Sequence, residues 1–214
     1  MRSSHLLFAS ALLVFASACN NEPAKDKSVA TVAAPAEATT PPPSGAVQYV
    51  FSDADSDLEW VGAKVTKKHD GSFEKFSGKI HLVDNDPLKS QVSVEVETDS
   101  IKSDAEKLTG HLKSADFFDT AKFPKASFTS TSIKAGGDKG ATHTVTGNLD
   151  LHGVKKAITF PATIKTEGDN VEVNGEFAIN RKDFGIVYAG LPDDLIKDDV
   201  LIKLKIKAKK HGGA

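Results

Sequence analysis

A single cysteine, Cys19, in a chain of 214 residues excludes an internal disulfide, so noncovalent packing must hold the folded part together. Charge of one sign is equally lacking. With 27 basic against 29 acidic residues there is no broad field to draw a polyanion onto the surface, which argues against nucleic acid as a partner. The one continuous apolar run, residues 6–18, is too short to span a bilayer. Tyrosine and tryptophan are scarce, two and one against twelve phenylalanines, so the aromatic surface carries few polar handles. There is no Gly-x-Ser-x-Gly elbow and no glycine-rich phosphate loop. The seven histidines show none of the short spacings of a zinc site. Asp193-Asp194-Leu195-Ile196-Lys197-Asp198-Asp199 lacks the glycine and spacing of a calcium loop and reads as a solvated turn. No metal and no required cofactor is expected.

What is present begins with Arg2 ahead of the apolar run and small residues at its end, the layout of an export signal, so residues 1–18 are set apart from the fold. Phe15-Ala16-Ser17-Ala18-Cys19 resembles the bacterial lipobox, whose cysteine is acylated and becomes the new N-terminus, although Ala16 stands where leucine is commoner. Acylation of Cys19 also accounts for a lone thiol in an exported chain; ordinary cleavage nearby is the alternative. Asn20 in place of aspartate resembles the sorting pattern of outer-membrane lipoproteins, which implies a lipid-anchored protein at the periplasmic face of that membrane. Residues 19–46, rich in Ala, Pro, Thr, Lys and Glu and containing Pro41-Pro42-Pro43, have no apolar periodicity and read as a disordered tether. Such a coil averages roughly 30 Å and reaches at most about 90 Å.

From Val47 the chain alternates with period two, placing one dry and one wet face on each segment. Ile202, Leu204, Ile206 and Ala208 interleave with Lys203, Lys205, Lys207 and Lys209, and Val92, Val94 and Val96 with Ser93, Glu95 and Glu97. The same pattern recurs at Val145 to Leu151, Ile158 to Ile164 and Val171 to Ile179. With the segments near 58–66, 73–83 and 126–135, about eight strands result, separated by turns such as Gly136-Gly137-Asp138. One short helix is expected over residues 104–114, capped by Ser103 or Asp104. Without a second helical layer the dry faces must close on themselves, giving an all-β, antiparallel barrel over residues 47–209 and a tail at 210–214. Eight strands enclose an interior that side chains just fill or that holds one small ligand.

Several blocks in this order resemble the YceI-like, or polyisoprenoid-binding, family. They are Leu58-Glu59-Trp60-Val61-Gly62 with Gly71-Ser72-Phe73-Glu74-Lys75-Phe76-Ser77-Gly78; Gly110-His111-Leu112-Lys113-Ser114 with Asp116-Phe117-Phe118-Asp119; Gly147-Asn148-Leu149-Asp150-Leu151-His152-Gly153; and Ile179-Asn180-Arg181-Lys182-Asp183-Phe184-Gly185. Asn148 and Asp150 depart from the aspartate and threonine expected there. The resemblance implies a lipocalin-like barrel holding a long apolar lipid lengthwise, without saying which; a polyisoprenoid or isoprenoid quinone is the expected type, and the missing catalytic motifs point away from an enzyme. Taken with the excess of phenylalanine, it leads to Trp60, Phe73, Phe76, Leu112, Phe117, Phe128, Leu149, Phe160, Phe177 and Phe184 as the residues expected to line the cavity. His111 and Lys113, near Asp116 and Asp119, could meet a head group at the mouth, or serve only as helix caps and surface pairs. Arg181 and Asp183 read as a structural pair.

Each buried methylene contributes about 0.8 kcal/mol, so a few isoprene units offset the roughly 4–15 kcal/mol lost on association. An interior phenylalanine is also ordinary core packing, and two other readings stay open: a structural or adhesive envelope protein with a filled barrel, and an enzyme acting on a lipid or quinone. A homodimer is compatible with the sequence.

Overall fold

Alternating strands with one dry face each have nowhere to bury it but against one another, and the chain resolves this by closing into a ring. The structure is a computed structural model that describes residues 22–37 and 44–212. Its elements, in chain order, are β1 (Ser28–Val29), β2 (Thr31–Ala33), β3 (Val47–Ser52), β4 (Asp57–Ala63), β5 (Lys68–Phe73), β6 (Phe76–Val83), β7 (Asp86–Glu97), β8 (Ile101–Ser103) and α1 (Glu106–Lys113). There follow β9 (Lys125–Ala135), β10 (His143–Leu151), β11 (Val154–Glu167), β12 (Asn170–Asn180), the short pair β13 (Gly190–Leu191) and β14 (Asp194–Leu195), and β15 (Asp199–Lys210). The expected segments 1–18 and Cys19 lie outside the described residues.

An antiparallel barrel of eight strands closes where β12 pairs with β15 along its length, from Asn170 opposite Lys209 to Asn180 opposite Asp199. Three of the staves are interrupted. β3 and β4 both pair with β15, β5 and β6 continue one another, and β7 passes through a 3-10 turn at Thr98–Ser100 into β8. The breaks stand side by side, since Ser52 faces Ser77 and Phe76 faces Val96. Bends at one level let the wall flare on one side of it.

Below the breaks the barrel is filled. Tyr49, Phe51, Ile80, Leu82, Ile133, Val145, Val171, Ile206 and Ala208 pack there, each less than a tenth exposed. Above the breaks the same inward-facing positions border empty space. β15 shows the division within one strand: Ile206 and Ala208 are packed, whereas Leu204 and Ile202, two and four residues up the same face from Ile206, line the hollow.

The one α-helix among the described residues is shorter than the sequence predicts. It begins at Glu106 behind Ala105, with no side-chain cap. Ser103 instead spends its hydroxyl on a local turn, accepting from Ala105 N–H (3.2 Å) and donating to Ala105 O (2.8 Å), which holds the chain extended until residue 105.

The tether is the larger correction. Residues 19–46 are expected to be disordered throughout, yet β1 runs parallel to β12 (Ser28 opposite Phe177) and β2 antiparallel to β11 (Val32 opposite Ile158). β11 and β12 pair directly only from Thr163 opposite Asn174 to Glu167 opposite Asn170. Beyond that they separate, and residues 28–33 fill the slit as an inserted strand, with Ala30 N–H bonded to Ala178 O (2.8 Å). A composition too polar for its own core can still be ordered when a neighbouring sheet offers unpaired backbone groups.

Asn148 clips the far end of this strap. Its side-chain oxygen accepts from Ala36 N–H (3.0 Å) and its amide donates to Ala36 O (2.8 Å). That gives a physical reason for asparagine at this position: aspartate has no donor for the carbonyl. Asn148→Asp is expected to loosen the strap by about 1–3 kcal/mol, lowering amide-exchange protection at Ala30 and Val32 roughly 10- to 100-fold. Protection in β9 and β10 should stay unchanged in the same exchange experiment.

Candidate functional site

Aromatic rings can line a thin wall only where the strand opposite leaves room for them, and three glycines do so. A Cβ at Gly71 would fall within the Trp60 ring, one at Gly78 within Phe51, and one at Gly147 within Phe128. Each ring therefore lies against its glycine neighbour, in space that a side chain there would occupy. Around the axis, Phe160 stacks on Phe177 (ring centroids 4.1 Å, 16° between planes) and meets Phe128 at 5.7 Å. The stacked pair stands at the level where β11 and β12 part, immediately inside the inserted strap.

Trp60, Phe128, Phe160 and Phe177 bound a cavity of about 750 Å³, whereas Phe51 belongs to the packed half. Of the residues marked in the sequence, Trp60, Phe73, Leu112, Phe117, Phe128, Leu149, Phe160 and Phe177 line it, together with Ile158, Ile179, Ile202 and Leu204. Phe76 and Phe184 do not. Phe76 sits at the level of the breaks, tied by its N–H to Asp53 Oδ1 (3.3 Å) and buried in the packed core. Phe184 belongs to a 3-10 turn, Arg181–Phe184, which ends the in-and-out alternation of β12 and carries the ring into a fully buried place outside the hollow.

The polar side chains of the lining cluster at the upper rim. From α1, Leu108 and Leu112 face the hollow with Lys107 and His111 beside them. His111 Nε2 lies 2.9 Å from Asp116 Oδ2, and its ring packs edge-on against Phe117 (5.0 Å) and Tyr188 (5.1 Å). Lys113 is a correction: it does not border the cavity, because one further residue of helix turns it toward Asp99, 3.4 Å away. Lys64, His69 and Lys197 also reach the rim, His69 held 2.6 Å from Asp104.

Sequence reading missed the cover of this mouth. Residues 186–197 contribute Ile186, Tyr188, Leu191, Asp194 and Ile196 to the lining, and β13 and β14 form a small hairpin there. Gly190-Leu191-Pro192-Asp193-Asp194 is turn punctuation that could have located it. The acidic stretch is thus only partly a solvated turn. Asp194 ion-pairs with Lys64 and accepts from Thr66 N–H (3.1 Å), and the hydrogen bond to Lys64, above all, holds its carboxyl below the usual range.

Arg181 fixes the flap. Its guanidinium donates to the carbonyls of Ile186 (2.6 Å), Lys197 (3.1 Å) and Ile196 (3.4 Å) and lies 3.4 Å from Asp198 Oδ1. It does not pair with Asp183, whose carboxylate is 3.7 Å from Lys156. Burial lowers the Arg181 pKa and Asp198 opposes that shift. A planar fork of five donors suits several fixed carbonyls as an ammonium would not.

Comparison with known proteins places the chain. It is 37% identical over 139 residues to a UPF0312 protein of Pseudomonas putida strain F1, covering 62% of this chain and 71% of that protein. A UPF0312 protein of Pseudomonas fluorescens strain SBW25 is 34% identical over the same length. Among solved structures, Burkholderia cenocepacia BcnA superposes with a TM-score of 0.65 at 23% identity, over 74% of this chain and 99% of that one. A domain from Saccharophagus degradans, described as polyisoprenoid binding and implicated in plant cell wall breakdown, has a TM-score of 0.60 at 17% identity, over 78% and 99% of the two chains. These likenesses establish the barrel. The model of the YceI-like domain matches residues 49–208, and the chain belongs to the YceI-like family.

Proposed function

We propose that this protein binds a long apolar lipid of polyisoprenoid or isoprenoid-quinone type in the upper half of its barrel, and that it does so as an envelope lipoprotein anchored through Cys19. The observation that carries this reading is the hollow itself: about 750 Å³ walled by stacked aromatic and aliphatic side chains, with charge only near its opening. A lipid tail would lie along Phe128, Phe160 and Phe177. A small polar head would stay at the rim among His69, Lys107, His111 and Tyr188. Enclosure alone provides affinity, since each methylene withdrawn from water contributes about 0.8 kcal/mol, and it leaves selectivity loose. A filled, purely structural barrel is disfavoured by that unfilled volume. Arg181, the most buried charge of the lining, is committed to backbone carbonyls and so serves the flap rather than a reacting ligand.

The test is native mass spectrometry with organic extraction on the full chain carrying Cys19→Ser, exported and purified without detergent so that the strap is kept. A near-stoichiometric apolar mass is the expected result. An empty barrel whose melting temperature is unmoved by excess isoprenoid would overturn the proposal.

A further inference from the structure

We infer that the open end of the barrel is a membrane-docking face that seats on a phospholipid leaflet with the cavity mouth toward the bilayer. Large apolar side chains stand in water around that mouth: Val187 is 63% exposed, Leu191 62%, Val65 54% and Leu195 49%. Val65 N–H bonds to Leu195 O (3.1 Å), which joins the two sides of the rim, and Leu191 also lines the cavity. Apolar side chains gathered at one end of a domain mark a surface that is covered in use.

Where the chain emerges selects a bilayer as the cover. Glu22 lies 3.1 Å from Lys197 of the flap, so the N-terminal segment leaves the barrel at the mouth. Cys19 is three residues earlier, within about 11 Å of Glu22, and the apolar residues 6–18 precede it directly. A hydrophobic anchor at Cys19 would therefore be within chain reach of this rim. The inserted strap and its Asn148 clip make this an orientation and not only a tether, because they shorten the free reach from about 90 Å to about 11 Å. Lys64 and Lys197 are paired with Asp194 and Glu22, so the docking is carried by the exposed apolar side chains and not by these two cations. A tail leaving the leaflet would pass Leu191 into the hollow without crossing water; that consequence rests on the proposed function, whereas the docking does not.

The experiment compares full chains carrying Leu191→Trp or Leu88→Trp on phosphatidylcholine vesicles that contain acyl-brominated phosphatidylcholine. Leu88 is similarly exposed, at 46%, but stands on β7 at the opposite end of the barrel. Emission from the Leu191→Trp chain is expected to shift to the blue and be quenched, while the Leu88→Trp chain matches the parent, whose Trp60 supplies the common background. No quenching above that background at 191, or equal quenching at 88, would overturn the inference. Native mass spectrometry of the same samples reports cavity occupancy separately, so a failure to bind lipid and a failure to dock are told apart.

Discussion

Ile202→Glu is expected to weaken uptake of an apolar ligand about a thousandfold at pH 8 and to recover it as the pH falls. Ile202 faces the hollow from β15, opposite Phe177 on one side and Trp60 on the other, so no cation stands directly across from it. In the empty cavity a carboxylate there keeps water. An apolar tail strips that water away, and dehydration raises the carboxyl pKa in the complex by roughly 3 units. The sign follows from linkage: the complex binds the proton more tightly than the free protein does, so protonation favours binding. The loss is complete above the raised value and shrinks about tenfold per unit of pH down to the ordinary range near 4. Displacement of a fluorescent apolar probe across pH measures it. Ile202→Gln should show a smaller, pH-independent loss. A pH-flat deficit for the glutamate variant would mean that the residue acts through packing and not through contact with ligand.

Arg181→Met is expected to cost about 3–5 kcal/mol of stability, which lowers the melting temperature by roughly 6–20 °C for a domain of this size. The residue is only 4% exposed, and its side chain satisfies three carbonyls that the flap cannot turn to water. Methionine matches the length but leaves those acceptors orphaned in a dry place. Arg181→Lys should recover little, since one ammonium cannot hold Ile186, Ile196 and Lys197 together. The change should be uneven. Amide exchange is expected to accelerate most over residues 186–198 while the closed half, around Val145 and Val171, opens only with the whole barrel. Thermal melts followed by exchange mapping would check both parts, and an unchanged melting temperature would refute the assignment of Arg181 as the post of the flap.

Much of the fold was legible because period two is a local signal. The alternation of Lys203, Lys205 and Lys207 with Ile202, Leu204 and Ile206 needs no partner to announce which face is dry. The aromatic lining was legible through resemblance, down to Trp60, Phe73 and Phe128. Errors fell where a residue leaves a regular strand. Phe184 follows an extended segment in sequence but turns off it in a 3-10 turn, and Phe76 begins a strand at the break where hollow gives way to packing. Lys113 was misplaced by one position of helical rotation.

By itself the sequence determined the inward and outward faces of the strands, the antiparallel closure and the apolar character of the interior, because strand geometry alternates whatever the neighbours are. Tertiary structure alone decided which inward residues pack and which line a hollow. That depends on where the staves bend, and the bends at Ser52, Phe76 and Val96 align only once the strands are in register. It also decided the fate of residues 28–36. Their small side chains, with alanine the commonest and two valines among them, offer too little apolar surface to build a core, and their order comes from unpaired backbone groups in the slit between β11 and β12. Hydrogen bonds between segments more than a hundred residues apart, such as that from Ala36 to Asn148, leave no trace in local pattern.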